Sequence, residues 1–162
     1  MHQTILLAAA LQQWDRHSAH ALAARDVAAT LARQAKQLHV LSVYSYDVRV
    51  PSTGLSAEMA AKLREQEIEQ TDSLMARKMD EYVVPLAGQG LPMSTILRVG
   101  SARHVIVEVA SEVGADLLII GSHSRRGLFD VVLGGTAQHV ARHAPCAVVL
   151  VSPGKSRPDR AA

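Results

Sequence analysis

The stretch over residues 116–151 constrains the fold of this chain more than any other, because it predicts two strands joined by a loop and a helix. Residues 117–120 form a continuous apolar run, which is typical of a strand buried on both faces of a parallel sheet. The segment TAQHVARHA predicts a helix in which Ala137 and Val140 can face that sheet, and the proline after it ends the helix. Ala147–Val151 is a second apolar strand. The unit therefore indicates an α/β architecture.

The loop inside this unit is rich in glycine. Gly121 ends the first strand, Gly127 lies within the loop, and Gly134 and Gly135 stand directly before Thr136. A Gly-Gly-Thr sequence at the start of a helix places several free backbone N–H groups around one point, which the helix dipole makes positive. The glycines let the backbone approach a ligand closely, and the threonine hydroxyl can donate a hydrogen bond. The loop therefore predicts a phosphate site, the alternative being a surface loop whose glycines only permit turns.

The rest of the chain continues this alternation of apolar runs and helical segments. Strands are predicted over residues 5–10, 38–46 and 93–99, and helices over residues 18–37, 57 to about 86 and 101 to about 113. In the first helix, the apolar positions expected to form the buried face are Leu22, Val27, Leu31 and Ala35. Residues 11–16 are expected to be a polar connection, and Gly114 is expected to end the third helix. This order implies right-handed crossovers and a parallel sheet covered on both faces.

Composition limits the class of protein. A chain of 162 residues with 48% hydrophobic and 20% charged residues is expected to form one globular domain over residues 1–152, followed by a disordered tail over residues 153–162. The net charge of +2 is too small to indicate a nucleic-acid partner, and no apolar run is long enough to predict a membrane span. The N-terminus lacks a secretory signal pattern, and the single cysteine, Cys146, fits a reducing cytoplasm.

No catalytic or metal-binding constellation stands out in the sequence. His139 and His143 are four residues apart on one predicted helix, a spacing that can bind zinc, but no Glu or Cys completes a recognisable metal pattern nearby. An exposed polar helix face is the preferred interpretation, and we predict no metal site. Cys146 precedes an apolar strand and is expected to be a small core residue. We therefore predict that the protein is not a dedicated enzyme.

Three polar residues of the glycine-rich loop have two interpretations each. Arg125 and Arg126 could clamp a triphosphate or another acidic group, or could be solvated loop charges. His123 could contact a phosphate or could cap the loop. These three residues are candidate contacts to an anionic ligand.

The same stretch resembles the closing segment of the universal stress protein family, whose pattern is G-x2-G-x9-G-[ST] followed by a helix and a last strand. Gly121 matches the first glycine and Gly134 the last, with the expected spacing. Ser124 stands in place of the second glycine, and Gly135 stands where the family has Ser or Thr. The resemblance implies a five-stranded parallel sheet of order 3-2-1-4-5 with helices on both faces, a Rossmann-like, adenine-nucleotide α-hydrolase-like fold. Its strand order reverses between the first and fourth strands, where ligands of such sheets bind.

The resemblance also implies a site for ATP, with Mg²⁺ accompanying the nucleotide. By this resemblance the residues around the phosphates are Gly121, Ser124, Gly134, Gly135 and Thr136. Ala8 and Val43 would line the adenine side, and Ile120 and His123 the sugar side. Ala10 falls where ATP-binding members commonly have an aspartate that contacts the adenosine, and Asp15 follows five residues later.

The leading hypothesis is a cytoplasmic, nucleotide-responsive stress protein that acts as a homodimer and changes its affinity for a protein partner. The resemblance implies dimerisation through the last strand, Ala147–Val151, which is an edge that needs cover. The alternative is an interaction module of the same fold whose nucleotide site has decayed, which Ala10 and Ser124 favour. A third hypothesis, a weak ATPase or autophosphorylating protein, needs a base and a metal ligand that the sequence does not identify.

Overall fold

The computed structural model describes residues 3–12, 16–51, 53–122 and 133–153 of the chain. The strands are β1 (Thr4–Ala8), β2 (Gln37–Tyr44), β3 (Met93–Val99), β4 (Leu117–Gly121) and β5 (Ala147–Val151). The helices are α1 (Ala19–Ala32), α2 (Ala57–Ala87), α3 (Ala102–Glu112) and α4 (Gly135–His143). None of the helices within these ranges combines the length and the apolar character that crossing a bilayer requires. Strands and helices alternate along the described chain, as the sequence pattern predicts.

The five strands form one parallel sheet in the order β3-β2-β1-β4-β5, so the order implied by the resemblance is confirmed. β1 is central, and its Ile5 pairs with Leu38 of β2 on one side and with Leu117 of β4 on the other. The apolar run of β4 is buried as predicted. The strand order therefore reverses at the boundary between β1 and β4.

Helices cover both faces of the sheet. Alternate residues of β1 point to opposite faces: Ile5 and Leu7 join the core under α1 and α2, whereas Leu6 and Ala8 join the core under α3 and α4. Ala137 and Val140 of α4 are buried, which confirms their predicted orientation. The two cores anchor the loops that gather at the carboxyl ends of the strands.

The buried face of α1 differs from the predicted one. The helix packs on the sheet with small residues, which are Ala21, Ala24, Ala28 and Ala32. Leu31, assigned to the buried face by the sequence, is 38% exposed. Alanines let the helix lie close to the sheet, and the larger Met75 and Tyr82 of α2 fill the adjacent part of the same core.

The predicted boundaries of α1, β1 and β2 are also too long. The predicted helix over residues 18–37 ends at Ala32, because the backbone N–H groups of Lys36 and Gln37 donate to the carbonyl of Gln3 at 2.9 and 3.1 Å and the chain has already joined the sheet. β1 ends at Ala8 instead of residue 10, and β2 covers Gln37–Tyr44 instead of residues 38–46.

The connection after β1 is not wholly polar. Leu11 is buried in the core under α1 and α2, so the polar connection predicted over residues 11–16 contains a core residue. The side-chain amide of Gln12 pairs with the backbone of Ser45: its Nε2 donates to the Ser45 carbonyl at 2.5 Å, and Ser45 N donates to its Oε1 at 2.9 Å. Lys78 Nζ also donates to the Leu11 carbonyl at 3.0 Å. These bonds join the loops after β1 and β2.

Helix ends follow the local chemistry of the sequence. Ser18 and Ser56 cap α1 and α2, each accepting a hydrogen bond from the backbone N–H three residues later. Gly114 has φ +60° directly after α3, which confirms it as the residue that ends this helix. The predicted bounds of β3 and β5 agree with the structure, and α2 runs one residue further than predicted.

Candidate functional site

A cavity of about 390 Å³ lies at the carboxyl ends of β1, β2 and β4, where the strand order reverses. Its walls come from these strand ends and from the N-terminal turns of α1, α3 and α4. Pockets of this size suit small molecules, and this edge is where open parallel sheets bind ligands. The cavity is therefore the candidate functional site.

The structure brings the predicted site residues together wherever it describes them. Those that line the cavity are Ala8, Ala10, Val43, Ile120, Gly121, Gly134, Gly135 and Thr136. The other candidates, His123, Ser124, Arg125 and Arg126, lie outside the described residues, as does Asp15. The described residues among those predicted for the base, the sugar and the phosphates thus share one cavity although they are far apart in the sequence.

One wall of the cavity is apolar. Ala8 is level with Leu41 of β2 and with Ile120 of β4, and Val43 continues the same wall along β2. Ile106 of α3 completes it. Such a wall can contact a flat, apolar part of a ligand.

Another part of the cavity wall is formed by helix N-termini. α4 begins at Gly135 with Gly134 as its N-cap, one residue earlier than predicted, and no side chain within the described residues caps it. The backbone N–H groups of Gly135, Thr136 and Ala137 have no acceptor within the helix. Ala102 brings the start of α3 to the same cavity. These N-termini make this wall positive and suited to an anion.

Gly121 has a packing role that its motif did not indicate. A Cβ atom at this position would lie 3.1 Å from Cβ of His20 and 3.3 Å from the His20 carbonyl oxygen. Glycine has no Cβ atom, so the first turn of α1 can pack directly beside the end of β4 at this position. Gly121 therefore positions one wall of the cavity as well as lining it.

Sequence reasoning missed the contribution of α1 and α3. The lining residues it did not identify include Gln12, Ser18, His20, Ala102 and Ile106. One signal was available for Ser18, because an N-cap serine marks the start of a helix, and the helix after β1 must start at the carboxyl edge of the sheet. The remaining residues carry no local pattern, because their place depends on how α1 and α3 pack.

The histidines of α4 do not line the cavity. The rings of His139 and His143 are stacked with centroids 4.2 Å apart, and His104 of α3 contacts His139 at 5.0 Å. Desolvation lowers the pKa of His139, and the neighbouring His143, His104 and Arg103 lower it further. Within the described part of the chain, no group of three or more His, Cys, Asp or Glu residues is arranged to hold a metal ion.

Sequence comparison identifies relatives of this chain. The model of the universal stress protein family matches residues 1–152. The chain is 43% identical over 56 residues to the Universal stress protein A homolog 2 of Coxiella burnetii and 41% identical over 61 residues to the Universal stress protein E homolog of Haemophilus influenzae. These alignments cover 35% and 38% of this chain and 38% and 20% of the two relatives, so the chain spans less than half of their length.

Structural comparison covers nearly the whole chain. The structure of protein MJ0577 from Methanocaldococcus jannaschii superposes with a TM-score of 0.70 at 23% identity, covering 97% of this chain and 99% of that one. A universal stress protein solved with cAMP has a TM-score of 0.54 at 19% identity, covering 94% and 99%. One from Arabidopsis thaliana with AMP bound has a TM-score of 0.53 at 16% identity, covering 92% and 90%. These structures share the fold, and the family model matches almost all of the sequence: the chain belongs to the universal stress protein family.

Proposed function

We propose that this protein binds a nucleotide, and ATP in particular, in the cavity between β1 and β4. The observation that carries the proposal is that one cavity of about 390 Å³ is lined both by an apolar wall and by the N-terminus of α4, which no side chain of the described residues caps. An adenine ring suits the first surface, and phosphates suit the second. The AMP and cAMP bound to two relatives of the same fold support a nucleotide as the ligand class.

The residues have separate roles in this proposal. Ala8 and Val43 contact the base, and Ile120 lies on the sugar side. The backbone N–H groups at Gly135 and Thr136 bind the phosphates, with Mg²⁺ accompanying them. The response to the ligand is a change in partner affinity rather than turnover, in a cytoplasmic homodimer that pairs through β5.

A second candidate function is a partner-docking protein of the same family without a nucleotide. Ala10 favours it, because this residue lines the cavity with a side chain that cannot form a hydrogen bond to a ribose. In that case the cavity serves no ligand, and the output comes from the protein surface alone.

Nucleotide release and calorimetry test the proposal. Mass spectrometry of freshly purified, denatured protein should detect an adenine nucleotide, and titration with ATP and Mg²⁺ should give a Kd on the order of micromolar. Gly134→Val should weaken binding at least about tenfold, because it places a branched side chain beside the phosphates, while φ −60° and ψ 148° remain accessible to valine.

Gly88→Ala is the matched control. Gly88 follows α2 and lies near the amino ends of the strands, away from the cavity, and a Cβ atom there would be 3.8 Å from its nearest neighbour. Its ATP affinity should equal that of the wild type. No bound nucleotide together with no heat at millimolar ATP would contradict nucleotide binding and support the partner-docking function. An unchanged affinity in natively folded Gly134→Val would contradict the assigned phosphate position.

A further inference from the structure

The N-terminal part of α2 extends beyond both cores of the domain. Every residue from 57 to 74 is described and none is buried; the first buried residue of the helix is Met75. We call residues 57–74 the free half of α2. Asp72, near its end, accepts hydrogen bonds from Tyr44 and Tyr46, whereas no residue of the segment is buried against the body of the domain. Helices in proteins owe most of their stability to the packing of one face, so a helical segment of this length with no buried face favours association with a partner.

The free half carries an apolar stripe on the side away from the core. Met59, Leu63 and Leu74 are 52%, 36% and 40% exposed. At 3.6 residues per turn, these three residues and Gln70 fall within about 60° of one another around the helix axis. The buried Met75 and Met79 lie more than about 100° from the centre of this stripe. Among the residues that the structure describes, the stripe is therefore left uncovered by the body of the same chain.

The charges beside the stripe are segregated along the helix. Between Glu58 in the first turn and Asp72 near the end of the segment, the basic residues Lys62 and Arg64 precede the acidic residues, which are Glu65, Glu67 and Glu69. Within the described residues, Lys62, Arg64, Glu67 and Glu69 take part in no ion pair. Two such helices packed in parallel and in register would place like charges together, whereas antiparallel packing brings the basic part of each to the acidic part of the other.

A two-fold axis perpendicular to the helix, at the level between Glu65 and Gln66, brings two pairs of opposite charges together in an antiparallel pair of helices. It places Lys62 opposite Glu69 of a second copy on one flank of the stripe and Arg64 opposite Glu67 on the other flank. Measured along the helix axis, Leu74 then lies within about 3 Å of the level of Met59 of the second copy, so the apolar end of each stripe lies beside that of the other copy.

The same axis also fits the extent of the free half. It places residue 57 opposite residue 74 of the second copy, so the overlap of the two helices spans residues 57–74 and ends where each helix enters its own domain. In this arrangement the two domains lie at opposite ends of the helix pair.

We infer that the free half of α2 is a self-association surface on which two copies of this chain pair antiparallel. The surface is separate from the nucleotide cavity and from β5, so it depends on neither of those proposals. The apolar stripe provides the contact area, and the four charges select the antiparallel register.

Charge exchange between copies tests this register. The variants K62E/R64E and E67K/E69K each place like charges at both pairs of a homodimer, so each alone should sediment at half the mass of the wild type in low salt. Mixed in equal amounts, they restore opposite charges at every pair, and the mixture should regain the wild-type mass. Analytical ultracentrifugation of the full chain measures all three samples, and circular dichroism checks that each variant is folded.

The control R33E/K36E makes the same charge change on exposed residues after α1 and should keep the wild-type mass. Variants that retain the wild-type mass would overturn the proposal, and so would a mixture that stays at the mass of the separate variants. A wild-type chain that sediments as a monomer across the whole concentration range would overturn it as well.

Discussion

Gly121 combines two demands at a single residue. Its place in the glycine pattern indicates a phosphate loop, whereas in the structure a Cβ atom at this position would lie closest to Cβ of His20, in the first turn of α1. Its φ is not in the left-handed region, so the position needs glycine for space and not for backbone conformation. A motif glycine can thus be required by packing even where its ligand role is not used.

Gly121→Ala should therefore destabilise the ligand-free protein. A Cβ atom 3.1 Å from the His20 side chain and 3.3 Å from its carbonyl oxygen forces α1 away from β4, at a cost of about 1–3 kcal/mol in the free energy of unfolding. Urea denaturation without nucleotide measures the change. Gly135→Ala is the control, because a Cβ there meets nothing within 4 Å, and its midpoint should not fall. An unchanged urea midpoint for Gly121→Ala would contradict this packing role, because α1 would then shift away from β4 with no loss in the free energy of unfolding.

At the scale of elements, two tyrosines fasten α2 to the end of β2. The hydroxyl groups of Tyr44 and Tyr46 both donate to Oδ1 of Asp72, at 2.7 and 2.6 Å. Asp72 stands one turn before Met75, where the helix leaves the body of the domain. The hydrogen bonds from Tyr46 and Tyr44 lower the pKa of Asp72, and burial together with Asp72 raises the pKa of Tyr44. The carboxylate form of Asp72 therefore stabilises the attachment of α2.

This attachment should contribute to acid sensitivity. The pKa of Asp72 in the folded state lies below its ordinary value of 3.8. Its carboxylate therefore stabilises the folded state fully at pH values above 3.8, and this stabilisation is lost as the pH falls through the lower pKa of the folded state. Asp72→Asn should lower the stability at neutral pH and flatten its decline below about pH 4. Urea midpoints measured from neutral pH down to about pH 2 would show both effects.

Asp47→Asn is the matched control, since Asp47 forms only an exposed ion pair with Arg49 and should leave the pH dependence unchanged. Parallel pH profiles for Asp72→Asn and the wild type would contradict a role for the carboxylate. In that case the two tyrosines would hold α2 through their packing alone, their rings lying edge to face at 5.9 Å.

At the scale of the whole molecule, the cavity joins elements from both faces of the sheet. Its walls include β1, β2 and β4 together with the first turns of α1, α3 and α4. Unfolding any one of these elements removes part of the site. A ligand in the cavity therefore binds the folded chain and stabilises it as a unit.

Nucleotide should accordingly raise the melting temperature of the whole domain. At a concentration of about 100 times Kd, ATP adds about 2.7 kcal/mol to the free energy of unfolding, which corresponds to an increase in Tm of roughly 5–10 °C for a domain of this size. Differential scanning calorimetry measures the shift. Gly134→Val should show no increase at the same concentration, and an equal increase in both proteins would indicate binding elsewhere on the chain.

The two proposed contacts between copies would act together. β5 is an edge strand with an exposed Leu150, and the free half of α2 belongs to the helix that covers the other end of the sheet. Each contact is isologous, and two isologous contacts with different axes build an assembly larger than a dimer. Disrupting the α2 contact alone would then halve the mass of the assembly and leave pairs joined through β5.

The sequence alone determined which segments form strands and which form helices. The bounds of β3, β5 and α2 agree with prediction to within a residue, because apolar runs, N-cap serines and Gly114 act through neighbouring residues. Strand order and the position of the site came from the resemblance, whose glycine pattern lies at the reversal between β1 and β4. Local chemistry and a family pattern were sufficient for these features.

Only the tertiary structure decided which faces meet. Alanines rather than Leu31 line the buried side of α1, since the space beside that helix is filled by Met75 and Tyr82 of α2. His20 and Ile106 enter the cavity because α1 and α3 pack against the ends of β4 and β2, and neither residue carries a local signal. Close packing depends on side chains that are distant in the sequence, so no stretch read by itself contains this information.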